Sequence, residues 1–137
     1  MPKNRIVLDT NIFVGAGFNK ASHSAALIDA VREGQLILVW NEATRQETEK
    51  VVTQIPPLNW PDFAPLFDEG EPFDGKTHED QFPHVEDPAD RKFAALADAA
   101  GAILVSNDDH LLNTRRQAAV RIYTPGEFMA RWKGGTE

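Results

Sequence analysis

Five carboxylates in this 137-residue chain stand where one backbone element gives way to the next: Asp9, Glu47, Asp87, Asp90 and Asp108. Asp9 follows the apolar run Ile6-Val7-Leu8, and Asp108 lies just past Ile103 to Ser106. Glu47 sits two turns inside the segment that follows Leu36 to Val39, and Asp87 and Asp90 open the segment before Ile103. Gathered acids repel, and each raises the pKa of the others. A divalent cation between them relieves that repulsion, and carboxylate oxygens suit the hard ions Mg2+ and Mn2+. Sites of this kind hydrolyse phosphodiesters, because the ion lowers the pKa of water and offsets charge on the attacking and leaving oxygens. There is no cysteine, and His23, His78, His84 and His110 have no ligand-like spacing, which argues against zinc. Taken singly, each acid reads as readily as a helix cap or a solvated surface group.

The elements that would position these acids follow from periodicity. Ile6 to Leu8, Leu36 to Val39, Ala102 to Ser106 and Val120 to Tyr123 are short β-branched or apolar runs that predict buried strands. Thr10 and Asn11 are capping residues for a short helical turn from Ile12, with Gly15 and Gly17 as its end. Ser24 to Val31 repeats apolar residues at helical spacing, with Gly34 as a stop. Asn41 is an N-cap for a helix over 42–54, ended by Pro56-Pro57. Residues 59–67 read as one helix with Pro61 in its first turn. Pro88 starts a helix carrying Phe93, Leu96, Ala97 and Ala100, closed by Gly101. Thr124-Pro125 opens a last helix with Phe128, Met129 and Trp132, and the tail 134–137 is expected to fray.

Strands alternating with helices predict an α/β fold, a single-domain three-layer α/β/α arrangement around a central parallel sheet. Residues 1–137 form one domain in this reading, with an irregular acidic excursion at about 55–86 that holds a short strand near Glu71 or Phe82. In a parallel sheet Asp9 and Asp108 share the carboxyl edge, where open α/β sheets bind ligands. The helix bearing Asp87 and Asp90 is expected to start at the opposite edge unless a preceding loop carries it across.

The bulk numbers narrow the function. Apolar residues make up 42% of the chain and no run approaches a membrane span of ~20 residues. The first residues lack a separate apolar h-region, so no signal peptide is expected, and the composition fits a cytoplasmic protein. Fourteen bases face 21 acids, a net charge of −7 that argues mildly against a nucleic-acid binder. The acidity is local, however. Ten of the acids, against Lys76 alone, fall between Asp62 and Asp90, which leaves a basic face available elsewhere, with Arg115, Arg116, Arg121, Arg131 and Lys133 towards the C-terminus.

Four stretches in order resemble the PIN-domain family of metal-dependent ribonucleases. Val7-Leu8-Asp9-Thr10-Asn11-Ile12 resembles its opening motif, and Asn41 to Glu47 resembles the segment ending in its glutamate. Asp87-Pro88-Ala89-Asp90-Arg91-Lys92-Phe93 resembles the third motif, and Leu104 to Leu112 the fourth. Ile122 to Phe128 resembles the close of one PIN subfamily, the VapC-like proteins assigned as toxins of type II toxin–antitoxin modules. The resemblance spans Ile6 to Phe128 apart from about 55–85.

It implies that Asp9, Glu47, Asp90 and Asp108 are the catalytic and metal-binding acids, with Asp90 preferred over Asp87 because it heads the apolar stripe in register with Ala97. Thr10 and Ser106 fall where the family has hydroxyls near the metal. Asn11 would orient Asp9, Asp87 would help from outside the metal's immediate ligands, and Asp109 is a competing ligand. Glu49 also competes, but it sits about 200° around the helix from Glu47, so both cannot face one cleft. The family also packs its third-motif helix so that its acid reaches the cleft. Asn107 stands where many relatives have Gly, a residue type that tolerates unusual backbone angles nearly as well.

The function so implied is a metal-dependent endoribonuclease, with Mg2+ or Mn2+ as cofactor and RNA as substrate. Arg91, Lys92, Arg115 and Arg116 are the candidates for backbone contacts. An antitoxin protein and a homodimer are the partners the resemblance suggests, and no membrane is involved. The alternative is a PIN-like module that binds nucleic acid or protein without cutting. Phosphotransfer domains fit less well: the residue two after Asp9 is Asn11, and no lysine follows the last strand.

Overall fold

The computed structural model describes residues 4–115 and 120–133. Arg116 and the tail 134–137, named above, lie outside them. Five strands form one sheet: β1 (Asn4–Leu8), β2 (Leu36–Trp40), β3 (Glu71–Pro72), β4 (Ile103–Val105) and β5 (Ile122–Tyr123). Their order is β3-β2-β1-β4-β5, and every pairing is parallel. The first strand of the chain is thus the middle of the sheet, and Leu8 pairs with Val105 at the carboxyl edge.

Helices cover both faces, and the period of two along each strand assigns side chains to them. Ile6, Leu8, Leu36, Leu38 and Val105 face one core with Ile12, Phe13, Leu27, Ile28 and Phe128. These come from α1 (Thr10–Phe18), α2 (His23–Arg32) and α7 (Pro125–Lys133). Val7, Val39, Leu104 and Ile122 face the other core with Phe93 to Ala97 and Leu111, from α5 (Arg91–Ala100) and α6 (Asp109–Leu112). The result is the three-layer α/β/α architecture around a parallel sheet. No described helix is long and apolar enough to cross a membrane.

Several expected boundaries change. Helix α1 runs through Gly15 and Gly17 to Phe18. A Cβ on Gly17 would collide with Leu58, so this glycine serves close packing rather than termination. The N-cap position of α1 is Asp9, not Thr10 or Asn11, and its side chain makes no capping hydrogen bond. Residues 59–67 do not form one helix: a 3-10 turn at Trp60–Asp62 precedes α4 (Ala64–Asp68). Pro65 explains the break, since inside a continuous helix it would lack an N–H and clash with the carbonyl of residue 61. Within the excursion, Glu71–Pro72 is the strand β3, and Arg5 Nε bonds Glu71 Oε1 at 2.9 Å.

Other boundaries agree with the sequence. Helix α3 (Glu42–Thr53) opens on Asn41 with a reciprocal capping box: Thr44 N–H donates to Asn41 Oδ1 at 3.0 Å and Asn41 N–H donates to Thr44 Oγ1 at 3.1 Å. Gly101 closes α5 at φ 67, a left-handed angle that favours glycine.

The direction of α5 resolves the point that the residue pattern left conditional, in the way the family resemblance implies. A helix crossing between parallel strands runs antiparallel to them, so it starts at their carboxyl edge. Arg5 at the amino end of β1 donates from Nη1 to the carbonyl of Ala100 at 2.6 Å. Asp90, immediately before α5, therefore sits at the other end, beside Asp9.

Candidate metal centre

Strand β1 delivers Asp9 to the carboxyl edge, where its N–H still bonds the Val105 carbonyl at 3.1 Å. Its side chain is 2% exposed, and Oδ2 accepts a 2.7 Å hydrogen bond from Ser106 Oγ. Ser106, fully buried after β4, also accepts from the N–H of Asp108 at 2.9 Å. One hydroxyl thus fixes two acids from two strands. Burial pushes the Asp9 carboxyl above its ordinary value; the Ser106 hydrogen bond pulls it down, the Asp108 charge pushes it up, and the N–H groups of Asn11 and Thr10 pull it down.

Asp108 occupies the N-cap of α6, and its Oδ1 accepts from the N–H of His110 at 2.8 Å. Asp90 ends a 3-10 turn (Pro88–Asp90), which Asp87 opens by accepting the N–H of Ala89 at 3.0 Å. Asp90 is nine-tenths buried, and its Oδ2 has no hydrogen-bond partner. Burial, then the charge of Asp108 and its shared contact, then Asp9 and Asp87, push its carboxyl up to about 7. Three aspartates from three elements thus converge within one another's fields at one edge of the sheet.

The other predicted residues are placed as follows. Glu47 is half-buried, unlike exposed Glu49, and its Oε1 bonds Lys92 Nζ at 3.2 Å. Thr10 is buried and shares a 3.1 Å hydrogen bond with Thr48 of α3, which docks that helix beside Asp9. Asn11 is exposed on α1, and it is Ser106, not an Asn11 side-chain hydrogen bond, that holds the Asp9 carboxylate. Asp109 is exposed in the first turn of α6.

The three described bases are all engaged. Arg91 donates from Nε to the Val85 carbonyl at 2.9 Å and from Nη2 to that of Pro83 at 3.3 Å. Lys92 holds Glu47, and Arg115 Nη1 bonds Glu127 Oε1 at 2.7 Å.

One residue was missed by spacing. His110 brings Nδ1 to 3.6 Å from both Asp90 Oδ2 and Asp108 Oδ1. Asp87, Asp90 and His110 each offer a ligand atom within 4.8 Å of the others. The signal in the sequence was its position two residues after Asp108, on a turn already chosen for its acid.

These groups fit a divalent cation. The donors are mainly carboxylate oxygens, two of the carboxyls are pushed up by burial and by the charge of neighbouring aspartates, and a buried Asp90 oxygen lacks any partner.

The family model for the PIN domain matches residues 5–110. This chain belongs to the PIN-domain family. The match takes in Asp9, Glu47, Asp87, Asp90, Ser106, Asp108 and His110 and stops before Arg115. Solved PIN-like structures agree in fold. PAE2754 from Pyrobaculum aerophilum superposes with a TM-score of 0.60 at 14% identity, covering 96% of this chain and 90% of that one. FitAcB from Neisseria gonorrhoeae gives 0.57 at 17% identity, over 88% of this chain and 98% of that one. FitAB bound to the IR36 DNA fragment gives 0.55 at 18% identity, over 88% and 94%. No curated protein sequence matches this PIN chain significantly.

Proposed function

We propose that this PIN-domain protein is a divalent-cation-dependent endoribonuclease, with Asp9, Glu47, Asp90 and Asp108 as its metal-binding, catalytic acids. The observation that carries the reading is the convergence of Asp9, Asp90 and Asp108 at the carboxyl edge, with a buried Asp90 oxygen left unpartnered. No lysine or arginine bonds Asp9 or Asp90 among the described hydrogen bonds, which supports an external cation as their partner. When bound, Mg2+ or Mn2+ supplies a lowered pKa for water and positive charge for the phosphoryl oxygens.

The chain's own residues prepare the site. Ser106 aims Asp9 and tethers the turn to Asp108, Thr10 and Thr48 dock α3 against β1, and Asp87 builds the turn that presents Asp90. Asp109 and Asn11 border the site from exposed positions. RNA backbone contacts from Arg91, Lys92, Arg115 or Arg116 would add phosphate recognition. Lys92 is the described base tied directly to one of the four acids.

The test is Asp9→Asn in purified protein, assayed on RNA with Mn2+. Cleavage is expected to fall at least about 100-fold, on the scale of losing one charge-stabilising group in a site, with an unchanged circular dichroism spectrum. Cleavage by the variant at the wild-type rate would exclude the assignment.

The structural likeness to FitAcB and to FitAB, solved on a DNA fragment, supports placing the chain with the VapC-like toxins, restrained by an antitoxin; a homodimer belongs to the same proposal and rests on the family resemblance alone. Co-purification with the product of an adjacent reading frame tests the antitoxin. The Lys92–Glu47 ion pair favours a second reading, a PIN module that binds without cutting, because it occupies one of the four acids with an internal cation. Absence of Mn2+ binding in calorimetry would decide for that reading.

A further inference from the structure

His110 is the one imidazole among the acids of this edge, and its two nitrogens face different groups. Nε2 lies 3.3 Å from Glu86 Oε1, and Nδ1 lies 3.6 Å from Asp90 Oδ2 and from Asp108 Oδ1. The ring thus offers Nδ1 to the carboxylate oxygens with Nε2 on the Glu86 side, the orientation in which a ligating histidine presents one nitrogen to an ion and the other to a carboxylate. At 3.6 Å, Nδ1 and Asp90 Oδ2 are too far apart for a hydrogen bond. Two ligands about 2.1 Å from one ion lie roughly 3–3.5 Å apart, close to what is seen. Asp90 is nine-tenths buried, and Oδ2 is the oxygen that has no hydrogen-bond partner. Asp87 completes the group, all three ligand atoms lying within 4.8 Å of one another.

We propose that Asp87, Asp90 and His110 form a nitrogen-containing cation site that adjoins the Asp9–Asp90–Asp108 centre and shares Asp90 with it. The site takes a divalent transition ion of the Mn2+ class in preference to Mg2+, because imidazole suits first-row transition ions while Mg2+ keeps to oxygen and water. Asp87, outside the four acids as a helper in the family reading, becomes a ligand here. The inference builds on the metal-centre reading above but is separable from it, since only an imidazole ligand gives 14N modulation, which the four acids do not supply.

The competing account of the same distances is a protonated His110 acting as a counter-ion to Asp90 and Asp108. The two accounts predict opposite signs for one variant. Mn2+ and Mg2+ affinities are measured by calorimetry on wild type, His110→Ala and Asp9→Asn, and the electron spin echo of bound Mn2+ is examined for 14N modulation. His110 is half-exposed, so its truncation leaves the core intact; the melting temperature checks this. The site predicts at least about tenfold tighter binding of Mn2+ than of Mg2+, 14N modulation in wild type and in Asp9→Asn, and loss of both the modulation and the preference in His110→Ala.

Wild-type Mn2+ binding without 14N modulation overturns the site. So does a His110→Ala variant that binds Mn2+ as tightly as wild type, or more tightly, as removal of a counter-ion would give. If Asp9→Asn alone abolishes binding and His110→Ala leaves it unchanged, the acid centre stands and this site falls. If no variant and no wild type binds Mn2+, both fall together.

Discussion

The hydroxyl of Ser106 lies 2.7 Å from Oδ2 of Asp9, across 97 residues of chain, and the same oxygen receives the N–H of Asp108. A residue with no charge and no ligand role of its own therefore sets the separation of two acids.

Ser106→Ala removes the donor to Asp9 and the acceptor for the Asp108 N–H. Mn2+ affinity is expected to fall about 10- to 100-fold, as for other groups that orient ligands. Stability of the chelated protein should drop by about 1–3 kcal/mol from the unpaired buried groups. Calorimetry and thermal unfolding measure the two effects separately, and an unchanged affinity would remove Ser106 from the site.

Asp90 makes the metal-free protein sensitive to pH. Its carboxyl is raised in the fold from an ordinary 3.8 to about 7, so the folded state binds that proton more tightly than the unfolded chain. Its contribution to stability is full below about pH 4 and is lost as pH rises through 7. In chelator, Asp90→Asn should melt with wild type at pH 4 and be more stable by about 1–3 kcal/mol at pH 8. Saturating Mn2+ should reverse that order at pH 8, because the ion stabilises only the protein that binds it. Melting curves at both pH values, with and without Mn2+, check the sign.

Lys92→Gln removes the cation that Glu47 holds at 3.2 Å. The pair is partly exposed, so stability should change by less than about 1 kcal/mol. Mn2+ affinity should rise by about 3- to 10-fold, since a positive charge beside the acids is gone. A fall in affinity would show that Lys92 positions Glu47 rather than competing for it.

Arg91→Ala should loosen the end of the acidic excursion. Its guanidinium bonds the carbonyls of Val85 and Pro83, next to the buried side chains of Phe82 and Val85. Loss of these bonds should cost about 1–3 kcal/mol and speed proteolysis within residues 73–84. Mass spectrometry of limited digests locates the cuts, and an unchanged cleavage rate there would deny Arg91 this role.

How much of this was legible in the sequence depends on the residue. The acids Asp9 and Asp108 stood visibly at strand ends, because β1 and β4 are compact apolar runs with polar turns behind them. The parallel sheet followed from strand–helix alternation. Asp90 was visible as an acid on a helix start, but its edge was left conditional, settled only by the family resemblance, because the antiparallel course of a crossover helix was not applied to α5. His110 was passed over because spacing along the chain is blind to a ring that meets Asp90 from another element. The engagement of Arg91, Lys92 and Arg115 with internal partners was equally hidden: composition shows a charge but not what it touches. The break at Pro65 was readable, since the rule that stops a helix at proline applies there as at Pro56.

The pairing of Leu8 with Val105 also has a consequence for synthesis. A nascent chain that ends before β4 already carries Asp9, Glu47 and Asp90, yet it has neither Ser106 nor Asp108 to complete the arrangement. Closing so long a loop is entropically slow compared with forming local helices. The edge that gathers these carboxylates is therefore completed only after β4 and the turn behind it have been synthesised.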